Sequence, residues 1–179
     1  MNSAINSQTG KYDRIPVLDM GPYLAGEPSA REQLAAQLRH VQENIGFYVV
    51  TNNGVEFSRL DAAYEALKKF FALPIDEKLK FSIDDTSLGY VPIRSTVYIT
   101  SIVNENTKKD LNETLTLARE RPADHPAVKQ RRRFHGPNRW PEIEGFRDAV
   151  VAYQETIAAL GHKLLPLYAL ALDKPADFF

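Results

Sequence analysis

The chain of 179 residues contains no cysteine. This absence excludes disulfide bonds, thiolate metal ligands and thiol nucleophiles, so any metal site would have to use nitrogen and oxygen ligands. A cysteine-free chain also suits a reducing compartment. Because the polar start of the sequence has no apolar signal segment, we expect a cytoplasmic protein.

Long apolar runs and an excess of charge are also missing. No run approaches the ~18 apolar residues that a membrane span needs, so we expect no membrane contact. Twenty-two Lys and Arg residues face 23 Asp and Glu residues, for a net charge of -1. Since this balance gives no overall field to attract a phosphate backbone, we expect no nucleic-acid partner. Hydrophobic residues form 44% of the chain, enough for a folded core.

The sequence begins with a polar segment, residues 1–14, which is predicted to be a disordered tail because it offers little apolar surface to bury. One domain is expected over residues 15–179. Its first element is a short strand at Ile15–Asp19. Pro16 lacks the N–H that a central strand would use, which favours an edge strand.

A helix and a strand follow. Ser29 stands three residues before Glu32 as in a capping box, and the apolar spacing that follows predicts a helix over residues 29–44. Phe47–Thr51 has high β-propensity and is predicted to be a buried strand. Asn and Gly residues at 52–54 tolerate positive φ and predict a turn there.

A second helix is predicted to begin with Ser58 as its cap and to end before Leu73 and Pro74. Its apolar residues recur at intervals of three and four. Charged residues in and after this segment are interpreted as the solvent-exposed side of the helix and of the chain that follows it: Lys68, Lys69, Asp76, Glu77, Lys78 and Lys80.

The middle of the chain has the alternation typical of strands. Residues 89–92 and 97–103 look extended, and between 111 and 117 apolar residues alternate with polar ones as in a half-buried strand. Glu113 occupies an apolar phase of that alternation. Residues 118–141, with four prolines, are predicted to be a loop.

The last helix has the clearest periodicity, with apolar residues at spacings of three and four from Ile143 to Leu167. Pro166 cannot donate to the carbonyl of His162, so a kink or break is expected there, with residues 167–172 as a displaced turn. Trp140 precedes Pro141 at the expected first turn and is predicted to anchor the loop in the core.

These elements define an α+β fold in which helices pack on a short, incomplete β-sheet. The long apolar stripe of the last helix needs a surface to cover it. The uncharged run 97–103 could be a core strand or an exposed edge. If this run is exposed and the long helix is uncovered, they predict an oligomer, a heteromeric partner or a missing C-terminal half.

Two clusters of polar residues are candidate sites. His125 and His135, with Asp124 and Glu142 nearby, could form a mononuclear metal site of a hydrolase, although a surface loop is the simpler interpretation. The basic triplet at 131–133 could grip a phosphate or an acidic partner. In a chain of balanced charge, a solvated loop is again the simpler interpretation.

Several segments occur in a fixed order along the chain. They are Ile15–Asp19, Ile45–Val50 with Asn53–Val55, Phe70–Pro74 with Glu77–Lys78, Gly89–Pro92, His135–Pro141, Gly145–Arg147, and Ala169–Leu172 with Phe178–Phe179. Together they resemble the N-terminal domain of the isopenicillin N synthase family. The resemblance covers about Ile15 to Phe179, and implies the N-terminal part of a double-stranded β-helix, or jelly-roll, oxygenase.

Enzymes of that family are non-haem Fe(II) oxygenases, mostly dependent on 2-oxoglutarate, and two His and one carboxylate of their C-terminal half hold the iron. This facial triad leaves three positions open for the oxo acid and dioxygen. Its sequence motif is His-x-Asp with a later His, and none of the histidines begins it: His40, His125, His135 and His162. The resemblance therefore implies no catalytic residue and no iron ligand here. Fe(II) and 2-oxoglutarate are implied only for a completed enzyme.

The resemblance implies a supporting role in which the segment after Gly89 helps to line a substrate mouth. Tyr90 and Arg94 are the substrate-facing candidates, since a tyrosine adds a hydroxyl and an arginine holds carboxylates in a fork. No other residue is predicted to contact a substrate.

Two hypotheses remain open. In the first, the chain is the N-terminal half of an oxygenase acting on a small molecule, inactive alone and completed by a C-terminal catalytic half. The apolar end, Phe178–Phe179, favours a truncated or split protein. In the second, the chain is a non-catalytic partner subunit or interaction protein derived from the family.

Overall fold

A computed structural model describes residues 14–97 and 107–179. The predicted disordered tail 1–14, apart from Arg14, and the run 97–103, apart from Val97, lie outside the described residues. Contacts divide the chain into two compact units, one of residues 1–56 with 156–179 and the other of residues 57–155. We call them unit 1 and unit 2.

The described ranges contain four strands and six helices. In chain order these are β1 (Val17–Asp19), α1 (Gly21–Leu24), α2 (Ala30–Asn44), β2 (Val49–Thr51), α3 (Phe57–Phe71), α4 (Ile75–Leu79), β3 (Gly89–Val91), β4 (Thr114–Thr116), α5 (Pro126–Lys129) and α6 (Phe146–Ala171). No helix within these ranges is long and apolar enough to cross a membrane.

Unit 1 contains a two-stranded parallel sheet of β1 and β2, in which Val17 is paired with Val49 and Leu18 with Val50. The edge strand predicted at Ile15–Asp19 is confirmed, although it is shorter. The strand predicted at Phe47–Thr51 is confirmed in a shorter form, but its predicted burial is wrong, because Val49 is 47% exposed. Alternate residues of a strand point to opposite faces, and the described residues cover only one face of this sheet.

The core of unit 1 lies between this sheet, α2 and the end of α6. Its buried members are Leu18, Met20, Leu34, Ala35, Leu38, Val41 and Leu167. The helix predicted over 29–44 is confirmed to within one residue. The predicted capping box is wrong: Ser29 has a φ of +61° and no capping hydrogen bond, and Glu32 pairs with Arg31. A left-handed Ser29 does not have the extended backbone that this cap requires.

Unit 2 is built around an aromatic cluster. Phe70 of α3 is fully buried and contacts the rings of Phe71, Phe81, Tyr90 and Phe146, with centroids 5.4 to 6.1 Å apart. Most of these contacts are edge-to-face, the geometry that the ring quadrupole favours. The predicted Ser58 cap is wrong, since α3 begins at Phe57 and contains Ser58.

Unit 2 also contains β3 and β4, which pair antiparallel with Tyr90 opposite Leu115. The strand predicted between 111 and 117 is therefore confirmed, in a shorter form. The fold class is α+β, as expected. The prediction of a single incomplete sheet is wrong in detail, because the described residues form two separate two-stranded sheets.

The long helix differs from its prediction at both ends. It begins at Phe146, so Trp140 and Pro141 do not belong to its first turn, and it continues through Pro166 to Ala171 without the expected break. One proline removes a single backbone N–H, and the bonds of the neighbouring turns keep the helix intact. Leu160, Leu164 and Leu167 form the C-terminal part of its apolar stripe and pack in the core of unit 1.

The aromatic cluster provides a test of where the stability of unit 2 resides. Phe70→Ala should lower the free energy of unfolding by about 3–5 kcal/mol, because it leaves a cavity among fixed rings. Tyr64→Ala on the same helix, where the ring is 61% exposed, should cost less than about 1 kcal/mol. Urea unfolding of both variants measures the difference, and equal losses would contradict this assignment of the core.

Candidate functional site

A buried ion pair is the most unusual polar feature of unit 2. Lys78, on α4, is 7% exposed, and its Nζ lies 2.8 Å from Oε2 of Glu113 and 3.1 Å from the Phe71 carbonyl. The Tyr90 hydroxyl donates to the same Oε2, and Nζ lies 5.4 Å from the centre of the Tyr90 ring. We call Lys78, Glu113 and Tyr90 the buried triad.

The local sequence explains how these three side chains meet. Pro74 precedes α4, and Lys78 near the end of that helix donates back to the carbonyl of Phe71, the last residue of α3. Glu113 shares the phase of Leu115 and Leu117, which pack on the aromatic cluster. In the sequence, Glu113 stands where the alternation has apolar residues, and this position indicated that its carboxylate would be drawn toward the core. The prediction that Lys78 faces solvent is wrong, because its ammonium turns inward to that carboxylate.

The charges of the triad stabilise one another. Burial alone would lower the pKa of Lys78, but the hydrogen bond and charge of Glu113 outweigh it and leave that pKa above its ordinary value. Burial likewise raises the pKa of Glu113, yet bonds from Lys78 and Tyr90 leave it below its ordinary value. Burial and the neighbouring carboxylate both raise the pKa of Tyr90. The pair is ionised at neutral pH.

Arg94 lies in a turn just beyond β3. Its φ is +61°, its side chain is exposed, and its N–H donates to the Asp110 carbonyl at 2.9 Å. The N–H of Asp110 donates to the Thr96 carbonyl, also at 2.9 Å. These two bonds join the chain before residue 97 to the chain after residue 107. The guanidinium of Arg94 is therefore presented to solvent from a fixed backbone.

Tyr90 occupies a different environment from Arg94. Its side chain is 0% exposed within the described part of the chain. Both were predicted to face a substrate, and for both this role stays a prediction. The structure does not bring the two side chains to one surface, since the Tyr90 hydroxyl points to Glu113.

All three arginines of the basic triplet form hydrogen bonds within the chain. Arg131 forms a bidentate pair with Asp85, and Arg133 donates to Ser87 Oγ at 2.9 Å. Arg132 donates to Gln130 at 2.8 Å. Two of the three arginines thus hold the turn before β3. The prediction that the triplet lies in a solvated loop agrees with its exposed side chains. These contacts give no support to the alternative that the triplet binds a phosphate.

Gly89 marks a close backbone approach at the start of β3. Its φ is +122°, and a Cβ at this position would lie 2.4 Å from the Phe81 carbonyl oxygen and 2.8 Å from the Arg139 guanidinium. Arg139 donates to the carbonyls of Phe81 and Ser82. Because residue 89 has no side chain, β3 and the Arg139 guanidinium can both lie against the backbone of Phe81 and Ser82.

Glu120 holds the loop before α6. It accepts hydrogen bonds from Trp140 Nε1 at 3.0 Å and Asn138 at 3.1 Å, and pairs with Arg147 at 2.9 Å. The Trp140 ring lies 6.2 Å from Phe146. The prediction that Trp140 anchors this loop is confirmed. The loop also contains the one-turn helix α5, which sequence reasoning missed.

The histidines do not assemble into a ligand set. His125 caps α5, and its Nδ1 accepts the Ala127 N–H at 3.2 Å, while Nδ1 of His135 lies 2.7 Å from the Arg133 carbonyl. His40 and His162 are exposed. Across residues 14–97 and 107–179, no three His, Cys, Asp or Glu residues come together as a metal site would require. The hydrolase hypothesis gains no support.

The fold and these contacts can be compared with known proteins. The profile of the family described as non-haem dioxygenase in morphine synthesis N-terminal matches residues 15–143, well over half of the chain. The chain belongs to this family of N-terminal domains of non-haem dioxygenases, which the segments in its sequence had indicated.

Two curated relatives extend the comparison. The chain is 30% identical over 170 residues to the 2-oxoglutarate-Fe(II) type oxidoreductase hxnY of Emericella nidulans, with 92% of the chain and 47% of that protein covered. It is 32% identical over 168 residues to Kihadalactone A synthase LFS of Citrus sinensis, with 92% and 48% covered. The chain spans about half the length of the curated relatives it matches.

Two solved structures also match nearly all of this chain with about half of their own length. A 2OG-Fe(II) oxygenase family protein of Caulobacter crescentus superposes with a TM-score of 0.76 at 26% identity, over 94% of this chain and 52% of that one. A full-length Neurospora crassa protein, solved in complex with alpha-KG, has a TM-score of 0.73 at 23% identity, over 95% and 51%. The second likeness supports the fold alone.

The buried triad predicts how stability depends on pH. Because the pKa of Glu113 is lowered on folding, its contribution is complete above the ordinary value of 4.5 and is lost as pH falls through the folded value. Glu113→Gln should therefore be less stable than the unmodified chain at pH 7, with the difference shrinking below about pH 4.5. Urea unfolding at several pH values between about 3 and about 7 measures it.

The size of this loss depends on the charge left behind. Glu113→Gln should cost about 2 kcal/mol at pH 7, somewhat below the ~3–5 kcal/mol of a fully buried pair, because the Glu113 side chain is 30% exposed. The triple variant Lys78→Met/Tyr90→Phe/Glu113→Leu removes both charges and the hydroxyl that donates to Glu113, and should recover most of that loss. A triple variant no more stable than Glu113→Gln would contradict this account.

The close approach at Gly89 gives a second prediction. Gly89→Ala should be strongly destabilising, by more than about 2 kcal/mol, because its Cβ meets fixed backbone and the φ is unfavourable. Gly161→Ala is the matched control: it lies within α6 with open space around it, and should stabilise by roughly 0.5–1 kcal/mol. Thermal unfolding compares the two, and a harmless Gly89→Ala would contradict the assigned contact.

Proposed function

We propose that this chain forms the N-terminal scaffold of an Fe(II) and 2-oxoglutarate dependent oxygenase that acts on a small molecule. The supporting observation is the match of residues 15–143 to the family profile, together with coverage of only 47% and 48% of two oxygenase relatives. The proposed oxygenase acts in the cytoplasm, as expected of a cysteine-free protein.

The residues described here do not fit an iron site, since they bring no three suitable donors together. Three protein ligands on one side of the metal would be needed to leave room for an oxo acid and dioxygen. In our proposal a C-terminal half with the jelly-roll fold supplies all iron ligands and holds 2-oxoglutarate. The present chain supplies the helical layer, two small sheets and part of the substrate mouth.

The segment after β3 is the proposed contribution to that mouth. Arg94 offers an exposed guanidinium from a turn fixed by Asp110, a geometry suited to an anionic group on a substrate. Tyr90 would act by positioning, because it is buried and tied through Glu113 to Lys78. The buried triad then keeps the base of the turn in place while the guanidinium contacts the ligand.

The proposal predicts that activity requires a second polypeptide region. Incubated with Fe(II), ascorbate and 2-oxoglutarate, the 179-residue chain should release no succinate above background. Addition of the C-terminal half, produced as a separate chain carrying His-x-Asp and a later His, should restore succinate release. Release that depends on iron and comes from the 179 residues alone would overturn the proposal.

A non-catalytic partner subunit is the second candidate. It is favoured by the exposed apolar residues of the β1 and β2 sheet, which could serve an interface without chemistry. The same assay separates the two: a stable complex that never releases succinate with any substrate tested supports a partner subunit, whereas turnover supports the oxygenase half.

A further inference from the structure

The turn that follows β2 contains the one Asn-Gly pair of the sequence, at Asn53 and Gly54. The Cγ of an asparagine can be attacked by the backbone nitrogen of the next residue, because the two atoms close a small ring within one chain. A side chain on that next residue would hinder the approach, so glycine is the least hindered neighbour. The sequence therefore makes the reaction available, and the local structure decides whether the two groups are held together.

The Asn53 side chain is folded forward over Gly54. Its Oδ1 accepts a hydrogen bond from the Val55 N–H at 2.9 Å, as in an Asx turn, where an asparagine bonds the backbone two residues on. The ring that this bond closes contains the Gly54 nitrogen, so the turn keeps Cγ beside its nucleophile. Donation to Oδ1 also draws electron density away from Cγ and makes that carbon more electrophilic.

The Gly54 backbone is open to the reaction. The residue is exposed, with a φ of +78°, and a Cβ at this position would make only ordinary contacts, 3.7 Å from Leu24 Cδ1 and 3.8 Å from Lys163 Nζ. Among residues 14–97 and 107–179, its N–H donates no backbone hydrogen bond. No such bond has to break when this nitrogen loses its proton, and the nearby Lys163 ammonium favours the negative charge that develops.

Two other asparagines hold their amides in a different way. Asn52 Nδ2 donates to the Asp19 carboxylate at 2.9 Å. Asn138 is bonded at both ends of its amide, since Nδ2 donates to the Ala118 carbonyl and Oδ1 accepts the Ala118 N–H, both at 2.8 Å. These partners are distant in sequence and hold the amide away from the residue that follows. The forward-folded amide of Asn53 contrasts with both.

We propose that Asn53 and Gly54 form a self-modifying site, at which the folded chain converts Asn53 into aspartate and isoaspartate. The Gly54 nitrogen gives its proton to water and attacks Cγ, and the bond from Cγ to Nδ2 breaks to release ammonia. Water then opens the resulting succinimide ring. Opening at Cγ leaves an aspartate, and opening at the main-chain carbonyl leaves an isoaspartate whose backbone runs through Cγ. The net change consumes one water and turns an amide into a carboxylic acid and ammonia.

The products alter the connection between β2 and α3. Both add a negative charge to a chain whose net charge is -1. Isoaspartate also lengthens the backbone by one carbon, shortly before Phe57, where unit 2 begins. The altered fraction would increase with the age of the molecule, because the reaction needs only water. This site is independent of the proposed oxygenase function.

Incubation of the folded 179-residue chain in water enriched in heavy oxygen, followed by peptide mass mapping, tests the proposal. The peptide with Asn53 should change from amide to acid with one heavy oxygen, and an isoaspartyl carboxyl methyltransferase should label part of the product. The peptide with Asn138 is the internal control and should keep its amide. An unchanged Asn53, or conversion of Asn138 at an equal rate, would overturn the proposal.

The variant Asn53→Gln keeps an amide at this position but would have to close a larger ring. It should gain acid at least about tenfold more slowly, with an unchanged thermal midpoint. An undiminished rate in this variant would contradict the proposed attack.

The unmodified chain unfolded in guanidinium chloride measures the reaction without the turn, so this comparison does not depend on how any variant folds. The folded chain should convert Asn53 at least as fast as the unfolded chain, because the turn holds the reacting groups together. A slower reaction in the folded chain would overturn the role assigned to the turn and with it the proposal.

Discussion

The contact between the Lys78 ammonium and the Glu113 carboxylate is the constraint that ties α4 to the sheet of β3 and β4. A charge with 7% exposure is tolerated only with a partner at hydrogen-bonding distance, and here it lies at 2.8 Å. The carboxylate also accepts a hydrogen bond from the Tyr90 hydroxyl, so α4, β3 and the residue just before β4 meet at a single oxygen. Such a network specifies register, because a shift of one residue would move Glu113 to the wrong face.

The sequence predicts those parts of the fold that periodicity controls. The spacing of three and four residues located α2, α3 and most of α6, and the alternation before residue 117 located β4. These signals are local, since each reflects one face of one element in contact with a core. The resemblance to non-haem dioxygenases depended on short segments in order, and the family profile over 15–143 agrees with it.

Features that depend on distant contacts were not predictable in this way. The inward turn of Lys78 requires a carboxylate 35 positions later in the chain, and a single sequence does not reveal that pairing. Ser29 had the residue type of a helix cap but not the backbone conformation. Pro166 had the residue type of a helix breaker, and the surrounding turns tolerated it. In each case the tertiary structure overrode a local preference.

The paired bonds between Arg94, Thr96 and Asp110 have an evolutionary consequence. They join the turn after β3 to the segment before β4 through backbone atoms. Backbone hydrogen bonds do not depend on the type of side chain that the residue carries. The side chain at residue 94 can therefore change while the turn that presents it keeps its place. This would allow descendants of one scaffold to diversify the chemistry at that position without rebuilding their core.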